Sequence, residues 1–352
     1  MTRQDLFLRQ LSDAPFKDDR SLMEFPFFSL QKRPRFEAIN YQDGDINIFI
    51  QPGPKGIATI YDKDVLIYLA SIISEQVERG EEPGRTVRFP AYDFLKTTSR
   101  GTGKRAYELF LDALFRLRST NISTSIASAG TRDRRGFGWI EDWRVLERNT
   151  ASGRLVMAGV EITLNRWMFA AIVKDRRILT INPAYFHLKK GLERRLYEVA
   201  RKHVGYQDAW YIGLPKLAKK CGSEDTTRKF KFRLAQISEH DGLPDYSLRL
   251  CTPSDIPEAS PIKIKGPAVH FWPKRVAMRT SAPVSLADTS SDDELTVSYD
   301  AYQEARSLFP GYDIQYLESR WQEWSATQAV SVSSPDKAFL AWCKRYAATN
   351  PL

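Results

Sequence analysis

Cysteine and histidine are scarce, with three and four copies in a chain of 352 residues. Cys221, Cys251 and Cys343 are scattered and form no C-x-x-C pair, which excludes a zinc finger or a disulfide scaffold and points to a reducing compartment. His187, His203, His240 and His270 stand alone, and no H-x-H occurs. A DNA-nicking initiator would need such a metal-holding pair beside a tyrosine nucleophile. Long apolar runs are missing too. The greasiest stretch, Ile162 to Val173, is broken by Asn165 and Arg166, so no transmembrane helix or membrane partner is expected. The opening MTRQDLFLRQLSD lacks a continuous apolar segment, and a cytoplasmic protein is expected.

Other catalytic signatures are absent as well. Gly101-Thr102-Gly103-Lys104 lacks the first glycine of G-x-x-x-x-G-K-[ST], and Arg105 stands where Ser or Thr belongs, so no Walker site is supported. Asp62 and Asp64 form a D-x-D, but both sit at a helix start, where capping accounts for them. No Ser/His/Asp or Cys/His ordering stands out. The expectation is a protein with no catalysis, no cofactor and no metal.

What the chain does have is basic charge, unevenly placed. The total is +9, but from Thr280 onward five basic residues face ten acidic ones, leaving +14 upstream. A large basic body with a small acidic tail suggests a polyanion partner for the body alone. Ordinary solvated lysine and arginine would give the same totals, so the choice needs a motif.

The order of elements supplies one. Residues 1–50, with Phe25-Pro26-Phe27-Phe28, read as an extended N-terminal arm with aromatic anchors. From Asp62 to Arg79, Leu66, Leu69, Ile73 and Val77 mark an amphipathic helix that Asp62 can cap. A short strand follows at Val87-Arg88-Phe89, and Pro90 opens a short helix. After a polar turn, a helix from Lys104 to Arg118 carries Tyr107, Phe110, Leu114 and Leu117 on one stripe. Strands at 122–126, 139–147 and 156–164 come next, with a Gly/Arg-rich hairpin over 130–136.

The same grammar returns. A helix spans Leu192 to Val204, a strand Tyr211 to Leu214, and Pro215 opens a short helix to Lys220. The polar turn Cys221 to Asp225 leads into a basic helix, Thr226 to Glu239, with Phe230, Leu234 and Ile237 inward. Strands at Tyr246–Leu250 and Val269–Phe271 close the copy. Helix, strand, helix, turn, helix and strand pair is the order of a winged helix. The fold class expected is α+β: a tandem winged-helix protein, two winged helix-turn-helix domains over 51–173 and 174–275. A linker over 276–296 and a small all-α C-terminal domain over 297–352 follow. In that tail Ile314, Leu317, Trp321 and Trp324 form one stripe and Phe339, Trp342 and Tyr346 another, read as a helical core.

The binding residues follow from this frame. Thr226, Thr227, Arg228, Lys229, Lys231 and Arg233 crowd the start of the second copy's last helix, where a recognition helix meets base edges in the major groove. Lys216, Lys219 and Lys220 on the preceding helix, with Lys263 and Lys265 in the wing, would lie over flanking phosphates. The alternative is a solvated basic helix. In the first copy, Leu111 and Phe115 add apolar surface beside the main stripe, which suggests a protein interface or a packed core. DNA contact there is limited to Ser99, Arg100, Thr102, Lys104 and the loop arginines Arg132, Arg134 and Arg135.

The stretches MEFPFFSLQKR, GTGKRAYELFLDALFRL, INPAYFHLKKGLERRLYEVARKHVG and WYIGLPKLAKK resemble the plasmid replication initiator protein A family of bacteria. ARSLFPGYD, LESRWQEW and AFLAWCKRY resemble the C-terminal part of its long members. The resemblance implies binding to repeated sites (iterons) at a plasmid origin, followed by origin melting and recruitment of host initiator and helicase. It also implies dimers that repress their own promoter, with the first winged helix dimerising and the second reading most bases, in agreement with the asymmetry of Leu111 and Phe115 against Arg228 and Lys231. The acidic tail, absent from the shortest members, reads as a docking element for host proteins. A transcriptional repressor without a replication role is the main rival.

Overall fold

The computed structural model describes residues 15–274, apart from 45, 129–130, 150–154, 176, 206 and 258–263, and parts of 297–349. They divide into two units, one within Met1–Gly205 and Ala209–Pro273, the other within Tyr206–Asp208 and Lys274–Leu352.

The segment expected to be an extended arm is, over its described part, built into the body of the first unit. It supplies β1 (Phe16–Asp19), α1 (Arg20–Glu24), β2 (Ile39–Asp43) and β3 (Ile46–Gln51). Strand β1 pairs antiparallel with a strand more than 150 residues away, Ile178–Ile181, with Phe16 opposite Ile181. Phe25, Phe27 and Phe28 are buried, and Phe28 stacks on Trp139 at 4.8 Å. Aromatic residues this dense bury too much apolar area to remain on a loose arm.

Helix α2 (Lys63–Glu78) is where the periodicity put it, but it is buried on nearly every side rather than on one. Leu66, Leu69 and Ile73 join one hydrophobic core while Ile67 joins a second, so the helix is shared between the two. A helix enclosed from all directions cannot be amphipathic in the ordinary sense. Asp62 makes no side-chain cap to it; its carboxylate accepts from the Thr59 N–H at 2.7 Å and takes a fork from Arg116 at 2.7 and 2.8 Å.

The first repeat then runs through β4 (Thr86–Phe89), α3 (Ala91–Thr97) and α4 (Lys104–Ser119), with Pro90 in the extended position just before α3. Four strands follow: β5 (Asn121–Ser128), β6 (Thr131–Phe137), β7 (Ile140–Asn149) and β8 (Leu155–Leu164). The Gly/Arg-rich stretch expected as a hairpin is strand β6, paired with β5 from Ser128 opposite Thr131 to Ile122 opposite Phe137. Cross-strand pairing overrides the turn-like composition of that stretch. After α5 (Arg166–Val173) and β9 (Ile178–Ile181) comes the second repeat: α6 (Gly191–His203), β10 (Trp210–Gly213), α7 (Leu214–Cys221), α8 (Thr227–His240), β11 (Tyr246–Cys251) and β12 (Ala268–Pro273).

The two repeats share a strand order. In one sheet it is β4-β8-β7 and in the other β10-β12-β11, so each time the strand before the two helices pairs with the last strand of the closing pair. A further sheet, β2-β3-β5-β6, belongs to the first repeat alone. The result is a mixed α and β fold. The second unit has its own core: Ile314, Leu317 and Trp321 on α9 (Ile314–Thr327) pack with Phe339 and Cys343 on α10 (Pro335–Thr349). Trp321 and Phe339 rings lie 5.6 Å apart. Among the described residues no helix is long and apolar enough to cross a membrane.

Candidate nucleic-acid interface

Helix α8 is set on its bed by Phe230, Leu234 and Ile237, all buried, which recur at the spacing of one helical face. Its start is fixed by Thr226, whose hydroxyl accepts from the Lys229 N–H at 3.4 Å. The turn before it depends on Gly222, at φ +64°, where an added Cβ would lie 2.7 Å from Pro26. Only glycine satisfies both the left-handed backbone and that close approach.

Thr226, Thr227, Arg228, Lys229, Lys231 and Arg233 are all exposed, as the sequence led us to expect. They are not equivalent. Asp225 lies 3.0 Å from Lys229 and 2.8 Å from Arg233, tethering both cations along one flank. Arg228 and Lys231 have no partner among the described residues and remain available. The sequence reading missed Phe232, which is 63% exposed beside them. Its position two residues from buried Phe230 was the readable signal, since residues two apart on a helix point to nearly opposite sides.

Helix α7 contributes less than expected. Lys216 and Lys219 are exposed, but Lys220 is buried, 3.4 Å from Glu24, and over the Phe25 ring at 5.7 Å. A lysine so enclosed cannot reach a phosphate, and it drops out of the candidate set. Burial, only partly offset by Glu24, lowers its ammonium pKa. In the wing Lys265 is exposed, and Lys263 lies outside the described residues.

In the first repeat, Arg100 also has a different role from the one expected. Its guanidinium donates to the Tyr61 carbonyl and sits 2.8 Å from Asp64, so it holds the fold together rather than facing solvent. Ser99, at φ +54°, is exposed and 3.0 Å from the His187 ring nitrogen. Thr102 and Lys104 are exposed at the start of α4. Arg132 and Arg134 lie on β6, with side chains outside the described residues, and Arg135 is exposed. Leu111 is half-buried; Phe115 is 46% exposed, edge-on to Trp143 at 5.3 Å and beneath the Lys55 ammonium at 4.7 Å.

Beneath α7 lies a buried set of charges that the sequence reading did not single out. The Lys63 ammonium is 2.6 Å from Asp18 and 2.9 Å from Glu198, with none of the three side chains more than 2% exposed. Arg195 donates to Glu198 at 2.9 Å, to the carbonyls of Leu22 and Met23 at 3.0 Å each, and to the Lys220 carbonyl at 2.8 Å. Arg194 lies 2.6 Å from Asp64. Burial pushes the Asp18 carboxyl up to about 7 despite Lys63. Burial acts on Glu198 too, but Lys63, Arg195 and a hydrogen bond from Tyr185 outweigh it and hold that carboxyl below its ordinary value. Every cation here has an anion or a carbonyl facing it, which is how a protein keeps charge in its interior.

Two further titratable groups are held in unreactive states. His203 is stacked on Trp210 at 4.6 Å, and burial together with nearby lysines drops its pKa to about 3. Burial likewise pushes the Cys221 thiol up to about 12, an unreactive state. Among the described residues no group of three or more His, Cys, Asp and Glu is placed to hold a metal.

Comparison with known proteins gives three kinds of similarity. The profile described as "Replication initiator protein A" matches residues 17–248. A curated protein of Wigglesworthia glossinidia brevipalpis, named "Putative replication protein", is 36% identical over 245 residues, covering 69% of this chain and 88% of that protein. Among solved structures, domains 2 and 3 of RctB align at 13% identity with a TM-score of 0.49, covering 72% of this chain and 97% of that one. The Pi initiator protein, solved in complex with iteron DNA, aligns at 16% identity and a TM-score of 0.39, covering 60% of this chain and 93% of that one.

Proposed function

The chain belongs to the replication initiator protein A family, and from that premise we propose that it is a plasmid replication initiator that binds repeated origin sites in double-stranded DNA sequence-specifically. Two winged-helix domains in tandem carry the binding, the first around α3 and α4, the second around α7 and α8. Helix α8 enters the major groove. Arg228 pairs with guanine, and Lys231 and the tethered Lys229 and Arg233 contact bases or flanking phosphates. Lys216, Lys219 and Lys265 grip the backbone on either side.

The observation that carries this reading is the free outer face of α8. Arg228 and Lys231 stand exposed, and unpaired among the described residues, on a helix whose other face is anchored in the core and whose start is capped. A helix held this rigidly, with those two cations uncommitted on its outer side, is pre-organised for an external anion. Lys104 and Thr102 at the start of α4 add a weaker phosphate contact from the first domain. Binding to several repeats, with bending energy spent on the DNA between them, would help open an adjacent AT-rich segment. Phe115 and Leu111 form the homodimer contact off DNA, the dimer represses the protein's own promoter, and the helical tail over 297–352 recruits host initiator and helicase.

Footprinting on the DNA that flanks its own gene tests the proposal. Protection of tandem repeats beside an AT-rich tract, abolished by Arg228→Ala, is expected. Protection of a lone inverted repeat would make the protein a dedicated repressor instead, and unchanged binding by Arg228→Ala would remove α8 from the interface.

A further inference from the structure

Phe232 is out of place on a solvated basic helix. It is 63% exposed, the most exposed of the large hydrophobic side chains that project from the described surface. At about 100° per residue it points about 200° away from buried Phe230, almost straight out from the core. Arg228 is four residues earlier, so the two side chains are neighbours on adjacent turns of the same outward face. Lys231 flanks this pair on one side; on the other stand Lys229 and Arg233, whose tether to Asp225 keeps their charge at the rim.

A bare phenyl ring inside a ring of cations fits a polyanion that also offers an apolar group. In the major groove of duplex DNA that group is the thymine 5-methyl, the apolar feature that side chains such as Phe meet there. The surrounding cations could serve phosphates and base edges without the ring, and an apolar protein partner would not be met by four cations around it. Building on the reading of α8 as the major-groove helix, we infer that Phe232 is a specificity-determining residue that packs on a thymine methyl about one turn of α8 away from the base pair read by Arg228. Each half of the motif then reads a different chemistry: the guanidinium a hydrogen-bonding edge, the ring a hydrocarbon. The recognised repeat must therefore contain a thymine at a fixed offset of a few base pairs from a guanine.

The test replaces thymine by uracil, which removes the methyl and nothing else, one position at a time in a protected repeat. Wild-type protein should lose about three- to fivefold in affinity at one position, the amount a single buried methyl carries, and be indifferent at the others. Phe232→Ala should bind the thymine-containing repeat about tenfold more weakly and show no further loss with uracil at that position, while Phe232→Leu should retain part of the discrimination. If Arg228→Ala loses specific binding but uracil is tolerated everywhere by the wild type, the inference is overturned while the α8 reading survives. If neither substitution affects binding, both fall. A Phe232→Ala protein that changes from dimer to monomer in sedimentation, with unaltered thymine discrimination, would assign the ring to a second copy of the chain and also overturn it.

Discussion

The Lys63 ammonium on α2 ends 2.9 Å from the Glu198 carboxylate on α6, and neither side chain meets water. One residue belongs to the first repeat and the other to the second, so the contact joins the two. Asp18 on β1 completes the cluster from a third direction, 2.6 Å from the same ammonium.

Removing the cation should be costly. Lys63→Met leaves the buried Asp18 carboxylate without its cation and Glu198 with only Arg195 and Tyr185, and a loss of about 3–5 kcal/mol is expected. Urea unfolding should show the loss larger at pH 8 than at pH 5, because at the lower pH one carboxyl can take up a proton. A loss under 1 kcal/mol would mean the cluster is not closed to water.

Asp18 gives the pH dependence its sign. Its carboxyl is raised to about 7 in the folded state, mainly by burial, above the ordinary 3.8. The folded protein therefore binds more protons than the unfolded chain between those values, and its stability falls as pH rises through that window. The stability of the wild type relative to Asp18→Asn should be level below about pH 4, decline across the window, and flatten above about pH 7. Glu198, held low, acts in the opposite sense and only under acid conditions. Denaturant titrations of both proteins at matched pH values give the curve.

The exposed cations should separate into two classes on DNA. Arg228→Ala is expected to cost about 1–3 kcal/mol at one base-pair position and to relax specificity there. Lys265→Ala should weaken all sequences alike and reduce the slope of log affinity against log salt by about 1. Gel shifts on the cognate and a scrambled repeat at several salt concentrations distinguish them. Equal effects on both DNAs for Arg228→Ala would contradict base reading.

Gly222→Ala combines a disfavoured left-handed backbone with a clash against Pro26, and a loss of about 1–3 kcal/mol is expected from thermal melts. Gly101→Ala is the control: nothing lies within 4 Å of its added Cβ, and its backbone is not left-handed, so the change should be near neutral. If the two variants melt alike, the turn before α8 gives way to an added Cβ.

Local pattern made α4 and α8 legible, because their buried residues recur at helical spacing and proline or a polar turn marks each start. Repetition of the helix, strand and turn order was legible for the same reason, since it needs no knowledge of distant contacts. Strand β1 was not, because its partner β9 is remote in sequence and four residues carry no period of their own. Charge was the larger blind spot. Lys220, Arg100 and Arg194 look identical on paper to Lys219 or Lys104; only the anions and carbonyls that converge on them in three dimensions distinguish a buried cation from an available one. Asp62 misled similarly, since a carboxylate at a helix start reads as a cap until Arg116 is found holding it.

Arg195 grips the backbone at Leu22 and Met23 with one hand and at Lys220 with the other. Helix α1 and the end of α7 are thus clasped by a single guanidinium. A second repeat expressed without the N-terminal segment would leave that clasp and its charged neighbours open, so the two are expected to unfold as one.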